Sequence, residues 1–314
     1  MYSIVVAFGY KSIDLLQVTR VLLASKTIKF LTKIKGYKQF GYFCCMRRIV
    51  YFFKFYIKSS IHAALAVTSL SLVTLLQFDQ WIDLSVLFFV FSATLITYNF
   101  IKYAVVAKYD VLVQNTEIQK IQSFSFLVGL LAIVSFVNLS QQTQIVAFFF
   151  GLMSLLYALP FPFQKQNFRN QWGIKIFIVA FCWSGVSVLL PLADFQWWET
   201  SSFWMVWLQR YLLIIVWMFP FEIRDMKIDP PTLKTIPQRI GIQKTVTLGI
   251  VLLLFCLLLS IAFSKVLLAD IGMMALTAFM LYKSRKDQST YFSSFWVESL
   301  PIFWLGLYAM KLFL

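Results

Sequence analysis

Residues 203–229 read FWMVWLQRYLLIIVWMFPF followed by EIRDMKID. The first part is an apolar run long enough to cross the hydrocarbon core of a bilayer, which takes about 17 to 25 helical residues. Three carboxylates and two basic side chains follow directly, and two more basic residues lie in the string KTIPQRIG at 234–241. A dense polar site therefore lies where a membrane helix leaves the bilayer, and such a site is suited to binding a charged ligand.

The composition of the whole chain indicates a membrane protein. Hydrophobic residues make up 60% of the chain and charged residues 13%, whereas a soluble domain has about 45–50% apolar and about 25% charged residues. The net charge of +15 is carried by short clusters of Lys and Arg between apolar runs, a pattern typical of membrane topology, so we reject a nucleic-acid partner. The four cysteines lack metal-ligand spacing, which gives no support for a zinc site or disulfides.

Nine apolar segments have lengths near that of a membrane-spanning helix. They are 61–76, 84–103, 121–137, 145–161, 173–192, 203–221, 246–263, 266–282 and 292–314. Basic residues precede the first segment and follow each even-numbered one, whereas the loops 77–83, 138–144 and 194–202 contain no Lys or Arg. The positive-inside rule then places the N-terminus and the polar site on the cytoplasmic side. We expect a multi-pass integral membrane protein, in the cytoplasmic or inner membrane if the source is bacterial.

Residues 1–45 do not fit this pattern of spans, and we predict that they form an N-terminal extension to a transmembrane domain at 46–314. A basic, partly amphipathic stretch around 26–35 could lie on an anionic membrane surface. The alternative interpretation is that Met46 is the natural start of the protein.

The acidic residues after the sixth segment have the spacing of a metal site. Asp225 and Asp229 are four residues apart, so their carboxylates point the same way if the segment is helical. Mg²⁺ usually takes one or two carboxylates together with waters and phosphate oxygens, which suits a metal-bridged diphosphate. Arg224, Lys234 and Arg239 would neutralise the remaining phosphate charge. The alternative is that these are ordinary loop charges that pair with one another and set the orientation.

The strings at 222–229 and 234–241 resemble the second aspartate-rich motif of the UbiA superfamily of intramembrane prenyltransferases. That motif has an acidic residue, Ile-Arg-Asp, three residues and Asp, and then Lys-Thr-Leu-Pro-x-Arg-Leu-Gly. The nine-segment layout extends the resemblance to 46–314. It implies an all-α protein with nine transmembrane helices, arranged in two pseudo-repeated halves around a central cavity open to the cytoplasm. It also implies an isoprenoid diphosphate donor, a lipophilic acceptor and Mg²⁺.

The family's first motif, expected after the second segment, is degenerate in this chain. Asn99 is kept, but the family's three aspartates are replaced. Their positions hold Phe100, Tyr103 and Ala107. One hypothesis is that Lys102 and Lys108 supply positive charge to a diphosphate in place of a second Mg²⁺. The other is that ionisation chemistry is lost and a cavity for a polyprenyl lipid or quinone-like molecule remains.

Charges inside the apolar segments are expensive in lipid and are therefore functional candidates. Arg210 lies in the middle of the sixth segment, and we expect it to face the cavity and to meet a phosphate or a carboxylate. Glu298, in the ninth segment, is expected to be a cavity wall, an acid/base group or an ion-pair partner of Arg210 or Lys175. Asp270 and His62 are expected to reach the membrane interface. Because such charges are few and no Gly-interrupted pair of segments recurs, a transporter is the weaker hypothesis.

Together, the residues and the resemblance predict a Mg²⁺-dependent prenyltransferase embedded in the lipid bilayer. Asp225 and Asp229 would be the metal ligands, and Glu222 would support them. The expected phosphate-binding residues are Asn99, Lys102, Arg224, Lys234, Arg239 and Arg210. A catalytically inactive relative that binds a lipid remains the alternative, and the sequence determines neither the acceptor nor the prenyl chain length.

Overall fold

A computed structural model of the chain describes residues 38–103, 115–158, 173–263 and 267–313. Every regular element in these ranges is helical. The chain divides into two compact units, residues 1–54 and residues 55–314, and the second unit contains the predicted site residues. Most of the predicted N-terminal extension lies outside the described residues, and so do Ala107 and Lys108.

The first group of helices covers the chain up to residue 158. They are α1 (Lys38–Lys58), α2 (Ile61–Gln77), α3 (Leu84–Tyr103), α4 (Thr116–Val137) and α5 (Gln141–Ala158). The second group begins with α6 (Lys175–Ser184), which continues as a π-helix at Gly185–Leu189, and then α7 (Ser201–Asp225). It ends with the short α8 (Ile236–Ile240), α9 (Ile242–Phe263), α10 (Leu267–Lys283), a π-helix at Phe292–Val297 and α11 (Leu300–Phe313).

Each of the nine apolar segments predicted from the sequence is helical over most of its described length. Judged by length and apolar character, four described helices can cross a membrane: α3, α4, α7 and α9. The number rises to five if the bent pair formed by the end of α1 and α2 is one span. These helices give the chain the architecture of an integral membrane protein.

Six helices form the central bundle. α2 packs against α11, α10 lies beside both α9 and α11, and α7 lies beside both α6 and α9. The π-helix that follows α6 contacts α2 and so closes the ring. Buried apolar residues from all six helices form one core cluster. Outside this cluster, α3 packs against both α2 and α4. The bundle therefore places the end of α7 next to the start of α6.

The central helix α7 owes its position to an apolar stripe. Leu213, Val216, Phe219 and Ile223 recur every three or four residues and are fully buried, which is the pattern of a helix face that packs on a core. The sixth segment was predicted at 203–221, and the helix continues through Pro220 to Asp225. A proline removes one intrahelical donor, but the tight packing on both sides of it holds the helix together.

Candidate functional site at the end of α7

The polar site begins in the last turn of α7 and continues for one more turn. The backbone N–H of Asp229 donates to the carbonyl oxygen of Asp225 at 2.7 Å, so the chain stays helix-like between the two aspartates. The side chain of Gln238 then fastens the returning loop, since its amide nitrogen donates to the carbonyl oxygen of Asp229 at 3.2 Å. Its amide oxygen accepts from the backbone N–H of Thr235 at 3.0 Å. The two parts of the motif are thereby held side by side.

The start of α6 supplies a cation to this site. Gly173 has a φ of 63°, and a Cβ added there would lie 3.0 Å from the carbonyl oxygen of Lys234. This close approach, which only glycine allows without strain, brings Lys175 against the aspartate loop. Its Nζ lies 2.5 Å from Oδ2 of Asp229 and 4.0 Å from Oε1 of Glu222. The sequence did not predict an ion pair between Lys175 and the aspartate motif, because nothing in the local sequence around Lys175 indicates this contact.

Glu222 is the most buried carboxylate of the motif, with 1% of its surface exposed. Neither of its side-chain oxygens has a hydrogen-bond partner of good geometry among the described residues, although the backbone of Ile236 interacts with this carboxylate. A buried charge without partners is costly, so Glu222 depends on nearby cations. Lys175 is the cation in ion-pair range.

Arg224 connects the motif to the π-helix that precedes α11. Its Nε donates to Oδ1 of Asp225 at 2.7 Å. Its Nη1 donates to Oγ of Ser293 at 2.8 Å and to Oγ of Ser294 at 3.3 Å. The guanidinium is therefore held in one orientation by groups on two elements, with part of its surface still open to a ligand.

On α3, hydrogen bonds between helices position Lys102. Its Nζ donates to Oγ of Ser60 at 2.9 Å, and that hydroxyl donates to Oδ1 of Asn99 at 2.8 Å. The amide nitrogen of Asn99 donates to Oγ of Ser125 on α4 at 2.8 Å. Asn99 is buried, so in this structure it ties helices together and orients Lys102. Tyr103 donates to the carbonyl oxygen of Lys58 at 3.0 Å, which gives this replacement of an expected aspartate a structural role.

Glu298 lies within electrostatic range of Lys102 and Arg224. Tyr98 lies within electrostatic range of the same carboxylate. The side chain of Lys102 is exposed, and those of Tyr98 and Glu298 are partly buried. The charged neighbours of Glu298 are thus Lys102 and Arg224, and not the expected Arg210 or Lys175.

Arg210 lies elsewhere, in the interior of the bundle. It precedes Asp225 by fifteen residues in the same helix, a separation of about 22 Å along the helix axis. Its Nη2 donates to Oε1 of Gln77 at 2.9 Å, and its Cζ lies 4.2 Å from the centre of the Trp304 ring. The structure therefore places Arg210 among core side chains and does not bring it to the aspartate motif.

Two expectations for polar residues at the membrane interface are wrong. Asp270 is fully buried, and its Oδ1 accepts from Nε1 of Trp304 at 2.9 Å. His62 is also buried, and its ring nitrogens contact the hydroxyl of Tyr56 at 2.7 Å and the carbonyl oxygen of Phe295 at 2.9 Å. Both residues have hydrogen-bond partners on distant elements, although Oδ2 of Asp270 has no hydrogen-bond partner among the described residues.

The other two predicted phosphate ligands are exposed. Lys234 follows the Pro231–Leu233 turn with a φ of 48°, and Arg239 lies in the last turn of α8. Both side chains extend from the loop that carries the second part of the motif. They are accessible to a ligand that approaches this end of α7.

The carboxylates of the motif can supply only part of the ligands that a metal ion needs. No group of three or more His, Cys, Asp or Glu side chains in the described part of the chain is arranged to hold one. Asp225 and Asp229 are each paired with a side-chain cation, but both are partly exposed, and the oxygens of Glu222 lack hydrogen-bond partners within the described ranges. Because Mg²⁺ can take its other ligands from water and phosphate, the residues fit a Mg²⁺ that arrives with a diphosphate.

Comparison with known proteins reveals a similar fold without a sequence relative. No protein-family model and no curated protein sequence matches the chain. Among solved structures, the chain is similar to a digeranylgeranylglyceryl phosphate synthase studied in membranes, with a TM-score of 0.51 and 16% identity. The match covers 82% of this chain and 95% of that chain. At this identity the similarity shows a shared fold, which is that of a membrane-embedded biosynthetic enzyme.

Proposed function

We propose that the protein is a UbiA-like intramembrane prenyltransferase, which transfers an isoprenoid from its diphosphate to a lipophilic acceptor. One observation carries the proposal: three carboxylates and two cations meet at the end of α7, in a fold shared with digeranylgeranylglyceryl phosphate synthase. The full architecture would be nine spans in two pseudo-repeated halves, with the site on the cytoplasmic side. The nine helical segments and the distribution of Lys and Arg support this arrangement.

The motif residues divide into metal ligands and phosphate ligands. In the proposal, Asp225 and Asp229 hold Mg²⁺, and Glu222 adds negative charge behind them. When bound there, Mg²⁺ supplies charge that stabilises the departing diphosphate. Arg224 and Lys102 would bind phosphate oxygens, since both cations lie within electrostatic range of the same carboxylate, Glu298.

Exposed cations would complete the binding of the diphosphate. Lys234 and Arg239 would contact the phosphate that lies nearest to solvent, because both are accessible on the motif loop. Asn99 would act indirectly, through the hydrogen bonds by which it orients Lys102. Arg210 would have a structural role in the bundle.

The reaction breaks the bond between the isoprenoid C1 and a diphosphate oxygen, and the electron pair leaves with the diphosphate. The acceptor's nucleophilic atom then bonds to C1 and loses a proton, which Glu298 would receive. Tyr98 and Trp183 present aromatic groups near this carboxylate, and the indole Nε1 of Trp183 donates to the hydroxyl of Tyr98 at 2.8 Å. Aromatic faces stabilise a nearby cation by about 2 kcal/mol when desolvated, which would favour an allylic cation.

A second candidate function is binding of a polyprenyl lipid without turnover. It is favoured by α3, which contributes Lys102 to the cavity but contains no Asp or Glu. A cavity with cations on that side can hold a diphosphate lipid even if no metal activates it.

An assay of diphosphate release tests both candidates. The purified protein, reconstituted in nanodiscs with a membrane lipid extract, is incubated with geranylgeranyl or farnesyl diphosphate in the presence and absence of Mg²⁺. We expect Mg²⁺-dependent release, and we expect Asp225→Asn and Asp229→Asn to reduce it by about 100-fold, as removal of one charge-stabilising group typically does. Asp287→Asn is the matched control, because Asp287 is an exposed loop residue.

The outcomes separate the hypotheses. Turnover that is unchanged in both aspartate variants contradicts the proposed site. Binding of the isoprenoid diphosphate by the unaltered protein without any release identifies the non-enzymatic alternative.

A further inference from the structure

The contact between Lys175 and the aspartate motif occupies the place where a divalent cation would bind. Its ammonium lies 2.5 Å from Oδ2 of Asp229 and 4.0 Å from Oε1 of Glu222. These two carboxylates come from α7 and from the turn after it, whereas Lys175 is the first residue of α6. A side chain from a different helix thus neutralises the motif.

The burial of the three groups shows why this cation is needed. Glu222 is 1% exposed and its oxygens have no hydrogen-bond partner among the described residues. The side chain of Asp229 is 22% exposed and that of Lys175 is 14% exposed. Two carboxylates this close to each other and this poorly hydrated repel one another, so a cation beside them stabilises the site.

Lysine can give up this position more easily than the other cation of the motif. Its ammonium is a compact charge at the end of a flexible chain with rotatable donors, and it also binds phosphate as a point charge. Arg224, by contrast, is held by Asp225 and by two serine hydroxyls on the π-helix. Movement of Lys175 breaks its ion pairs with Asp229 and Glu222, whereas movement of Arg224 also breaks two hydrogen bonds to another element.

We propose that Lys175 is an exchangeable counter-ion of the motif. It neutralises Asp229 and Glu222 while the site holds no diphosphate, and it moves to a phosphate oxygen when a divalent cation binds to Asp225 and Asp229. The inference rests on the proposed function and adds that binding of the divalent cation and binding of the diphosphate are coupled. A metal ion alone must compete with Lys175, whereas a diphosphate offers the displaced ammonium a new partner, so each ligand strengthens the binding of the other.

The test measures metal and anion binding separately, with no need for catalysis. Binding of Mn²⁺, a spectroscopic substitute for Mg²⁺, is followed by electron paramagnetic resonance of the full-length protein in nanodiscs. Inorganic pyrophosphate binding is followed by calorimetry without metal. The variants are Lys175→Met, which removes the charge, and Lys175→Gln, which removes it but keeps a hydrogen-bond donor for Asp229.

The matched control is Lys227→Met. Lys227 lies between the two aspartates in sequence and its removal changes the net charge equally. Its ammonium, however, pairs at 2.5 Å with the exposed Asp287 and not with the motif. Size-exclusion profiles and thermal unfolding show which variants are folded. If Lys175→Met is not folded, the binding measurements are made with Lys175→Gln.

We expect the Lys175 variants to bind Mn²⁺ about tenfold more tightly than the unaltered protein, because the competing ammonium is gone. We expect them to bind pyrophosphate about tenfold more weakly without metal, since one phosphate ligand is lost. Lys227→Met should match the unaltered protein in both measurements.

Equal Mn²⁺ affinity in the unaltered protein and the Lys175 variants overturns the exchange while leaving the proposed prenyltransferase intact. Weaker Mn²⁺ binding in the variants overturns it as well, since Lys175 would then support the metal. If none of the proteins binds Mn²⁺ or pyrophosphate, both the exchange and the proposed metal-dependent function are wrong.

Discussion

Replacing Arg210 with Met is expected to destabilise the protein strongly without touching the aspartate motif. The guanidinium is fully buried, donates to Oε1 of Gln77 at 2.9 Å and stacks 4.2 Å from the Trp304 ring. Asp270, also fully buried, accepts from the Trp304 indole at 2.9 Å and from the hydroxyl of Tyr308 at 3.1 Å. These five side chains form a closed polar network inside an apolar bundle.

The magnitude follows from what the substitution leaves behind. A hydrogen bond to a charged group contributes about 1.5–3 kcal/mol, and the desolvated cation–π contact about 2 kcal/mol. Methionine keeps the apolar stem but leaves Asp270 as a buried carboxylate without a compensating cation, which costs about 3–5 kcal/mol. Because these contributions overlap, we expect a loss of about 3–5 kcal/mol for Arg210→Met. The double variant Arg210→Met with Asp270→Asn should regain much of it, since the unpaired charge is gone.

The assay is equilibrium unfolding of the detergent-solubilised protein, with Arg285→Met as control. Arg285 lies in an exposed loop, so its loss removes the same charge and should change the free energy of unfolding by less than about 0.5 kcal/mol. The reasoning is refuted if Arg210→Met unfolds like the control. A loss of pyrophosphate binding without a loss of stability would instead restore Arg210 as a phosphate ligand.

Two further substitutions test how the helices are held around the site. Gly185→Ala should destabilise the protein by about 1–3 kcal/mol, because its Cβ would lie 1.9 Å from a ring carbon of Phe150. In thermal unfolding, the double variant Gly185→Ala with Phe150→Leu should be more stable than Gly185→Ala alone. If the double variant is no more stable, the clash with Phe150 is not the cause. Asn99→Ala should lower the free energy of unfolding by about 1–3 kcal/mol, because it removes the hydrogen-bond partner of Ser60 and Ser125. An unchanged unfolding temperature would show that these hydrogen bonds do not stabilise the bundle.

The apolar helices were the most predictable part of this chain. The segment predicted at 84–103 coincides with α3, and the one predicted at 61–76 ends one residue before α2 does. A bilayer imposes both a length and an apolar composition on each spanning helix, so these segments stand out in the sequence alone. The sixth segment, predicted at 203–221, lies within α7, which is longer by two residues at its start and four at its end.

The partners of the polar residues were not predictable in the same way. Asp270 and His62 were expected at the membrane interface, but both are buried against α11 or the π-helix before it. Sequence position shows how deep a polar residue lies in its own helix, and not which neighbouring helix offers it a hydrogen bond. The same is true of Glu298, whose charged neighbours come from α3 and α7.

The sequence by itself determined that this is a helical membrane protein with a cluster of acids and bases at the end of its sixth apolar segment, since composition and spacing are local properties. Only the tertiary structure decided which cation meets which acid. Lys175 and Asp229 are 54 residues apart in the chain, yet Nζ of Lys175 lies 2.5 Å from Oδ2 of Asp229. Arg210 belongs to the same helix as the start of the motif but donates to Gln77 in the core. The physical reason is that an ion pair depends on how helices pack, and packing depends on side chains far away in sequence.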